Sequence, residues 1–258
     1  MRRVILLAGV ALVAATAAAP GQVIIYNNTT NSSTNAVING GATSQAAITQ
    51  YIADDIQPIT GFAGRSVTNF TLSVANLNTT AVTARPRVKF FLPDGPNLGP
   101  GTALATLNFP ATPFTASSIS LIVSGPLAPG TLVIPPGFFW AGVVFDDNLG
   151  TTGATAAQLN NLGQGQFSPP TVGISDDVYF RSTAAGVPGN FPAGQQLNFG
   201  GPPNPVANFG WQFQVAPVPE PGTLVLCFGP TAVTLLGYAW RFQSRKQKAS
   251  GVGGGGGG

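Results

Sequence analysis

Three pairs of adjacent carboxylates are the residues with chemistry to offer: Asp54 and Asp55, Asp146 and Asp147, Asp176 and Asp177. Carboxylate oxygens at strand ends can ligate Ca²⁺, which is abundant outside cells. Two carboxylates held roughly 5–10 Å apart can instead act as acid and base on a glycosidic bond. Along a strand, neighbouring side chains point to opposite faces, so each pair offers at most one side chain to a shared site. The spacings match neither an EF-hand loop nor a Gly/Asp nonapeptide repeat. We therefore expect the pairs to stand at strand ends and keep a sparsely charged domain soluble, with no metal, no cofactor and no catalytic residue. The chain has no His and one Cys in 258 residues. That excludes His-ligated metals, Ser-His and Cys-His catalysis and internal disulfides. Trp140, Tyr179 and Trp211 are the candidate sugar-stacking rings. Trp140 and Trp211 fall within strand patterns, where a core role is the expectation.

The elements that must position these residues are strands. With 34 Gly and 23 Pro, long helices are excluded over most of the chain. Apolar residues alternate with polar ones around Phe70, Leu72 and Val74, around Val88, Phe90 and Leu92, around Ile119, Leu121 and Val123, and from Phe209 to Val215. Residues 23–26 and 138–145 are apolar runs, the second fit for burial on both faces. Turn chemistry separates them at 76–78, 94–96, 128–130 and 135–137. Only 154–162 reads as a short helix. Arg85, Arg87 and Lys89 alternate around Pro86, which predicts a solvated face on an edge or bulged strand. Many short strands with Gly/Pro turns predict an all-β ectodomain over 22–217, a β-sandwich or jelly roll. Five Asn fit the N-x-Ser/Thr sequon, among them Asn28, a pattern that has meaning only where a glycosylation system acts.

Charge is sparse and segregated. Only 7% of residues are charged, and the formal net charge is +3. Arg2 and Arg3 stand at the start, and Arg241, Arg245, Lys246 and Lys248 near the end. Between them Arg65, Arg85, Arg87, Lys89 and Arg181 are outnumbered by the paired Asp and Asp94. The basic residues flank apolar segments and form no patch on a domain, which argues against nucleic acid as a partner. Residues 1–21 have the basic, apolar and small-residue regions of a secretory signal peptide, so signal peptidase and the general secretion machinery are expected partners. Residues 223–240, TLVLCFGPTAVTLLGYAW, carry no charge. As a helix they would extend about 27 Å, close to a bilayer core. The basic cluster after them keeps that end in the cytoplasm. Just before them, Pro219 and Pro221 hold Glu220 on an extended peptide.

The sequence VPEPGT, an apolar helix and a terminal basic cluster together resemble the PEP-CTERM sorting signal of Gram-negative bacteria. The matching residues are Pro219, Glu220 and Pro221, the helix 223–240, and the basic cluster 241–248 with Arg241, Arg245, Lys246 and Lys248. The resemblance covers residues 218–248. The Gly-rich tail, 249–258, continues where such signals end. The resemblance implies an exosortase as partner and a host that makes exopolysaccharide. It also implies an inner-membrane-anchored precursor that passes to the cell surface or extracellular matrix after cleavage. The expected function is that of a non-enzymatic exported surface or matrix protein. The alternatives are a carbohydrate-binding module of the exopolysaccharide matrix and a glycan-active hydrolase.

Overall fold

The computed structural model describes residues 21–43, 47–185, 194–199 and 208–217. Residues 1–20 of the candidate signal peptide and the sorting signal, with Pro219, Glu220, Pro221, the segment 223–240 and the basic cluster, lie outside the described residues. The body is all-β. Its strands are β1 (Val23–Asn27), β2 (Ser32–Ile38), β3 (Gln50–Ile56), β4 (Val67–Asn76), β5 (Val82–Phe91), β6 (Ala103–Asn108) and β7 (Thr112–Phe114). They continue with β8 (Ser118–Val123), β9 (Phe139–Asp146), β10 (Leu162–Phe167), β11 (Tyr179–Ala185), β12 (Gly194–Leu197) and β13 (Trp211–Val215). One sheet has the order β1-β13-β4-β10-β2, with β8 also on β4; the other has the order β12-β11-β3-β9-β5-β6, with β7 also on β5. The pairs are antiparallel. Among the described residues no helix is long and apolar enough to cross a membrane.

Aromatic rings close the two sheets on each other. Phe70 of β4 meets Phe90 of β5 edge-on at 5.4 Å, and Phe213 of β13 meets Phe139 of β9 at 5.3 Å. Trp211 stacks on Phe213 at 5.8 Å and faces Phe90 across the gap at 6.1 Å. All five rings are fully buried. This seam follows from the alternation in the sequence, since Phe70 with Leu72 and Trp211 with Phe213 fall on one face of their strands. The offset and edge-on geometries are those the ring quadrupole favours.

The second sheet is also covered on its outer side. Tyr51, Ala53, Phe91, Trp140, Val144 and Phe180 form a separate apolar cluster there. Every residue of β9 is buried, as its continuous apolar run predicts. Gly142 is required at the middle of β9, because a Cβ there would stand 2.6 Å from the Tyr51 ring and from Ala53 Cβ. The expected helix forms as α1 (Ala156–Asn160), where Thr155 and Gln158 make a reciprocal capping box.

Two expectations about β5 are corrected. The strand lies between β9 and β6, not at an edge. Pro86 is tolerated because the outer neighbour of β5 changes there: β7 pairs with residues 82–84 and β6 with residues 87–91. Its missing N–H falls in that gap, and its carbonyl still accepts from Phe109 N at 3.0 Å. Nor is the Arg85–Arg87–Lys89 face simply solvated. Arg87 pairs with the buried Asp146, Arg85 Nη1 donates to Asn148 Oδ1 at 2.7 Å, and Lys89 is buried.

Replacing Phe213 by Ala removes a ring that touches Tyr26, Phe70, Phe90, Phe139 and Trp211. Equilibrium urea unfolding should show a loss of about 3–5 kcal/mol. A loss below about 1 kcal/mol would mean that the seam does not hold the sheets together.

Candidate functional site

The structure sets the three Asp pairs in different surroundings. Asp146 ends β9, is buried, pairs with Arg87 and accepts from Asn148 N at 2.7 Å. It lies opposite Ile48, six positions along the chain from Asp54. Asp147 is half-buried and its carbonyl takes Thr152 N and Oγ1. This pair matches the strand-end expectation. Asp54 and Asp55 do not: they lie inside β3, between β11 and β9, where Asp54 is fully buried and Asp55 nearly so. Asp176 and Asp177 sit beside them, Asp176 exposed and Asp177 half-buried.

The alternation argument fails at Asp54 and Asp55. Ser175 Oγ lies 3.1 Å from Asp54 Oδ1 and 3.1 Å from Asp55 Oδ1, so both members of the pair reach one hydroxyl. The cause is an irregular ladder. Asp54 pairs with Tyr179, and Gln57 pairs with Ile174. Two residues of β3 therefore face four residues, Ser175 to Val178, on the other side. The surplus bulges, as an inserted residue does in a β-bulge, and brings Ser175 to the strand edge within reach of both faces.

The rest of the cluster comes from the first sheet. Asp54 Oδ2 accepts from Phe209 N at 2.8 Å, which ties β3 to the segment entering β13. Asp55 Oδ2 accepts from Asp176 N at 3.2 Å. Asn208 Oδ1 lies 3.1 Å from Ser175 Oγ, and its Nδ2 donates to Ser175 O at 3.4 Å. Asn28, fully buried, donates through Nδ2 to Phe167 O at 2.7 Å and Phe209 O at 3.0 Å. Tyr26, also fully buried, places its hydroxyl beside Ser175 and Asn28 and near both carboxylates. Ser175, Asn208, Asn28 and Tyr26 were not legible as site residues. They come from three distant stretches, and Asn28 reads locally as a sequon although no glycan fits at its buried side chain.

Burial, and then the charge of Asp55, push the Asp54 carboxyl well above the usual carboxylate range. Burial pushes Asp55 up to about 7, against the pull of Asp176 N–H and the Ser175 hydroxyl. The Tyr26 hydroxyl is pushed up by burial and then by the charge of Asp54. Among the described residues the carboxylates of Asp54 and Asp55 have no cationic side chain against them, whereas Asp146 pairs with Arg87. Between the two carboxylates stands the Ser175 hydroxyl rather than an opening for a sugar.

The candidate stacking rings are all buried. Trp140 donates Nε1 to Leu98 O at 2.9 Å, Trp211 lies in the seam, and Tyr179 stacks on Phe199 at 5.5 Å. None presents a ring face to solvent. A groove of about 240 Å³ runs between Pro58, Ile59, Ile134, Pro135 and Pro136, and no ionisable side chain lines it.

The raised carboxyls give a pH dependence whose sign is fixed. Below about pH 4 both folded and unfolded chains hold these protons. As pH rises, the unfolded carboxyls ionise near 4 while folded Asp55 holds its proton until about 7. The folded state then binds more protons, so stability falls between pH 4 and 7 by up to about 1.4 kcal/mol per pH unit for that group. Thermal melts in metal-free buffer should show a lower Tm at pH 8 than at pH 5, and Asp55→Asn should flatten that slope. An unchanged slope in the variant would contradict this assignment.

Compared with protein-family models, curated proteins and solved structures, the chain matches none of them.

Proposed function

We propose that the chain is a non-enzymatic protein of the cell surface or extracellular matrix. Residues 1–21 direct its export, the apolar segment 223–240 holds the precursor in the inner membrane, and an exosortase cuts at or near Pro219-Glu220-Pro221. The reading rests on the sequence of the two end segments. The observation in the fold that supports it is where the body lets them go. Val23 of β1 pairs with Val215 of β13, so both ends leave from the same end of the same sheet. A precursor with an apolar segment at each terminus can then hang from one membrane without distorting its body.

The same geometry suits removal of the C-terminal segment. β13 lies between β1 and β4 and is complete at Val215. Arg65 Nη2 donates to Ala216 O at 3.0 Å, which fastens the chain just past the last strand. The compact unit ends at Ala216. A cut beyond Pro217 therefore leaves every described strand and core ring in place. In the sequence of residues 218–222, Pro219 and Pro221 fix φ and carry no N–H, chemistry that disfavours pairing in a sheet and suits a peptide an enzyme can grip.

Glu220 is the charge a basic recognition site would read. In a host that has the sorting enzyme, Glu220→Ala removes a charge-assisted contact worth roughly 1.5–3 kcal/mol. The precursor should accumulate on immunoblots, with processing slowed about tenfold or more. Neutralising Arg241, Arg245, Lys246 and Lys248 should instead release or misorient the precursor. Processing of the Glu220→Ala protein at the wild-type rate would contradict the assigned motif.

A further inference from the structure

We infer that the cluster of Asp54, Asp55, Ser175 and Asn208 is a binding site for a divalent cation of the size of Ca²⁺, with the Asn28 side-chain oxygen and the Tyr26 hydroxyl turned toward it. The first observation is a deficit of donors. Ser175 carries one hydroxyl proton, yet Asp54 Oδ1, Asp55 Oδ1 and Asn208 Oδ1 all lie 3.1 Å from its Oγ. One proton satisfies one of these contacts. Turning the Asn208 amide about would satisfy a second and still leave two carboxylate oxygens on one hydroxyl. Each carboxylate also takes backbone donors, the N–H groups of Phe209 and Asp55 for Asp54 and those of Asp176 and Asp55 for Asp55. Ionised, as a bound cation would hold them, the two carboxylates offer about four lone-pair sites each, and the single Ser175 proton cannot serve both.

The second observation is independent of the acids. The side-chain oxygen of Asn28 and the hydroxyl of Tyr26 are buried and make no hydrogen bond of good geometry, although the hydroxyl lies beside Ser175 and Asn28. The Asn28 amide cannot be turned about to remove the problem, because its Nδ2 faces two carbonyls, Phe167 O and Phe209 O. The Asn28 side chain lies beside the Tyr26 hydroxyl. Unpartnered buried polar atoms are rare and costly. Here two of them adjoin two carboxylates that also lack positive partners.

A cation answers both observations together. Two carboxylate oxygens and one amide oxygen, each 3.1 Å from the Ser175 hydroxyl, converge on one point, as the oxygens around a bound cation do. Carboxylate, amide and hydroxyl oxygens are the hard donors that Ca²⁺ takes in irregular geometry. Mg²⁺ demands a near-ideal octahedron and keeps several waters. Two carboxylates balance the charge of one divalent ion. On the side away from the core the cluster is bounded by the exposed Asp176 and the half-buried Ser175. Bound there, the ion would join β3 of one sheet to the entry of β13 in the other, so it would act as a clip between sheets.

The test uses the full-length chain in mild detergent at pH 7.5, with CaCl₂ as the probe. Thermal melts in 5 mM CaCl₂ and in EGTA should differ by about 5 °C, with calcium stabilising. Asp55→Asn, a near-isosteric change, should abolish the difference. Terbium luminescence, sensitised through the nearby Tyr26 ring, should rise to saturation and be displaced by calcium. It should be lost in Asp54→Asn and Asp55→Asn even if those variants melt at altered temperatures. Coincident melts with no saturable terbium signal would overturn the site. A calcium shift of equal size in wild type and Asp55→Asn would place the ion elsewhere and overturn it equally.

Discussion

The contact between Phe70, Phe90, Phe139, Trp211 and Phe213 is the constraint on which the rest of the body depends. Two antiparallel sheets can share one core only if their inner faces interdigitate, and with 7% charged residues the chain has few ion pairs with which to set their alignment. Neutral amides take that role. Gln164 of β10 donates to Ile52 O of β3 at 3.0 Å, and Asn39 donates to Gln50 O and Val143 O at 2.9 and 2.7 Å. Asn76 reaches Phe114 O at 3.0 Å. Each bond runs from a side chain associated with one sheet to the backbone of the other or of a neighbouring segment. The rings supply nonspecific attraction and the amides supply register.

The acidic cluster extends this logic to one end of the sandwich. Asp54 reaches from β3 to Phe209 N, where the chain enters β13. Six residues later β13 ends at Val215, opposite Val23. The two ends of this strand are about 17 Å apart. One end holds the buried carboxylates, and the other releases both chain termini. In the proposed display, the tether and the clip therefore stand at opposite ends of one interior strand. Pull on the tether runs along β13 against hydrogen bonds to both β1 and β4.

Much of the fold was legible because apolar alternation is a local signal. β1, β4, β5, β8, β9 and β13 fall where the periodicity places them, and the helix lies within 154–162. The strands that escaped are those with polar residues in the core. β3, QYIADDI, and β10, LGQGQF, carry buried Asp and Gln whose partners are backbone groups more than 100 residues away. No window of sequence contains those partners. Pro86 misled for the same reason, since its tolerance depends on two other strands changing places beside it. The convergence of Asp54 and Asp55 on Ser175 depends on the bulge at 175–178, which is a property of pairing and not of composition. The end segments are different. A bilayer imposes a length and a charge asymmetry that can be read from residues alone, which is why the proposed function rests on them.

That function is tested most directly by the intact mass of the protein extracted from the surface of cells that possess the sorting enzyme. The account predicts a chain that begins within the small-residue region that ends at about residue 21 and stops at or near Pro219-Glu220-Pro221. Recovery of surface protein that still carries the peptide through Trp240 would contradict it, for the C-terminal segment would then be a permanent anchor and not a sorting signal.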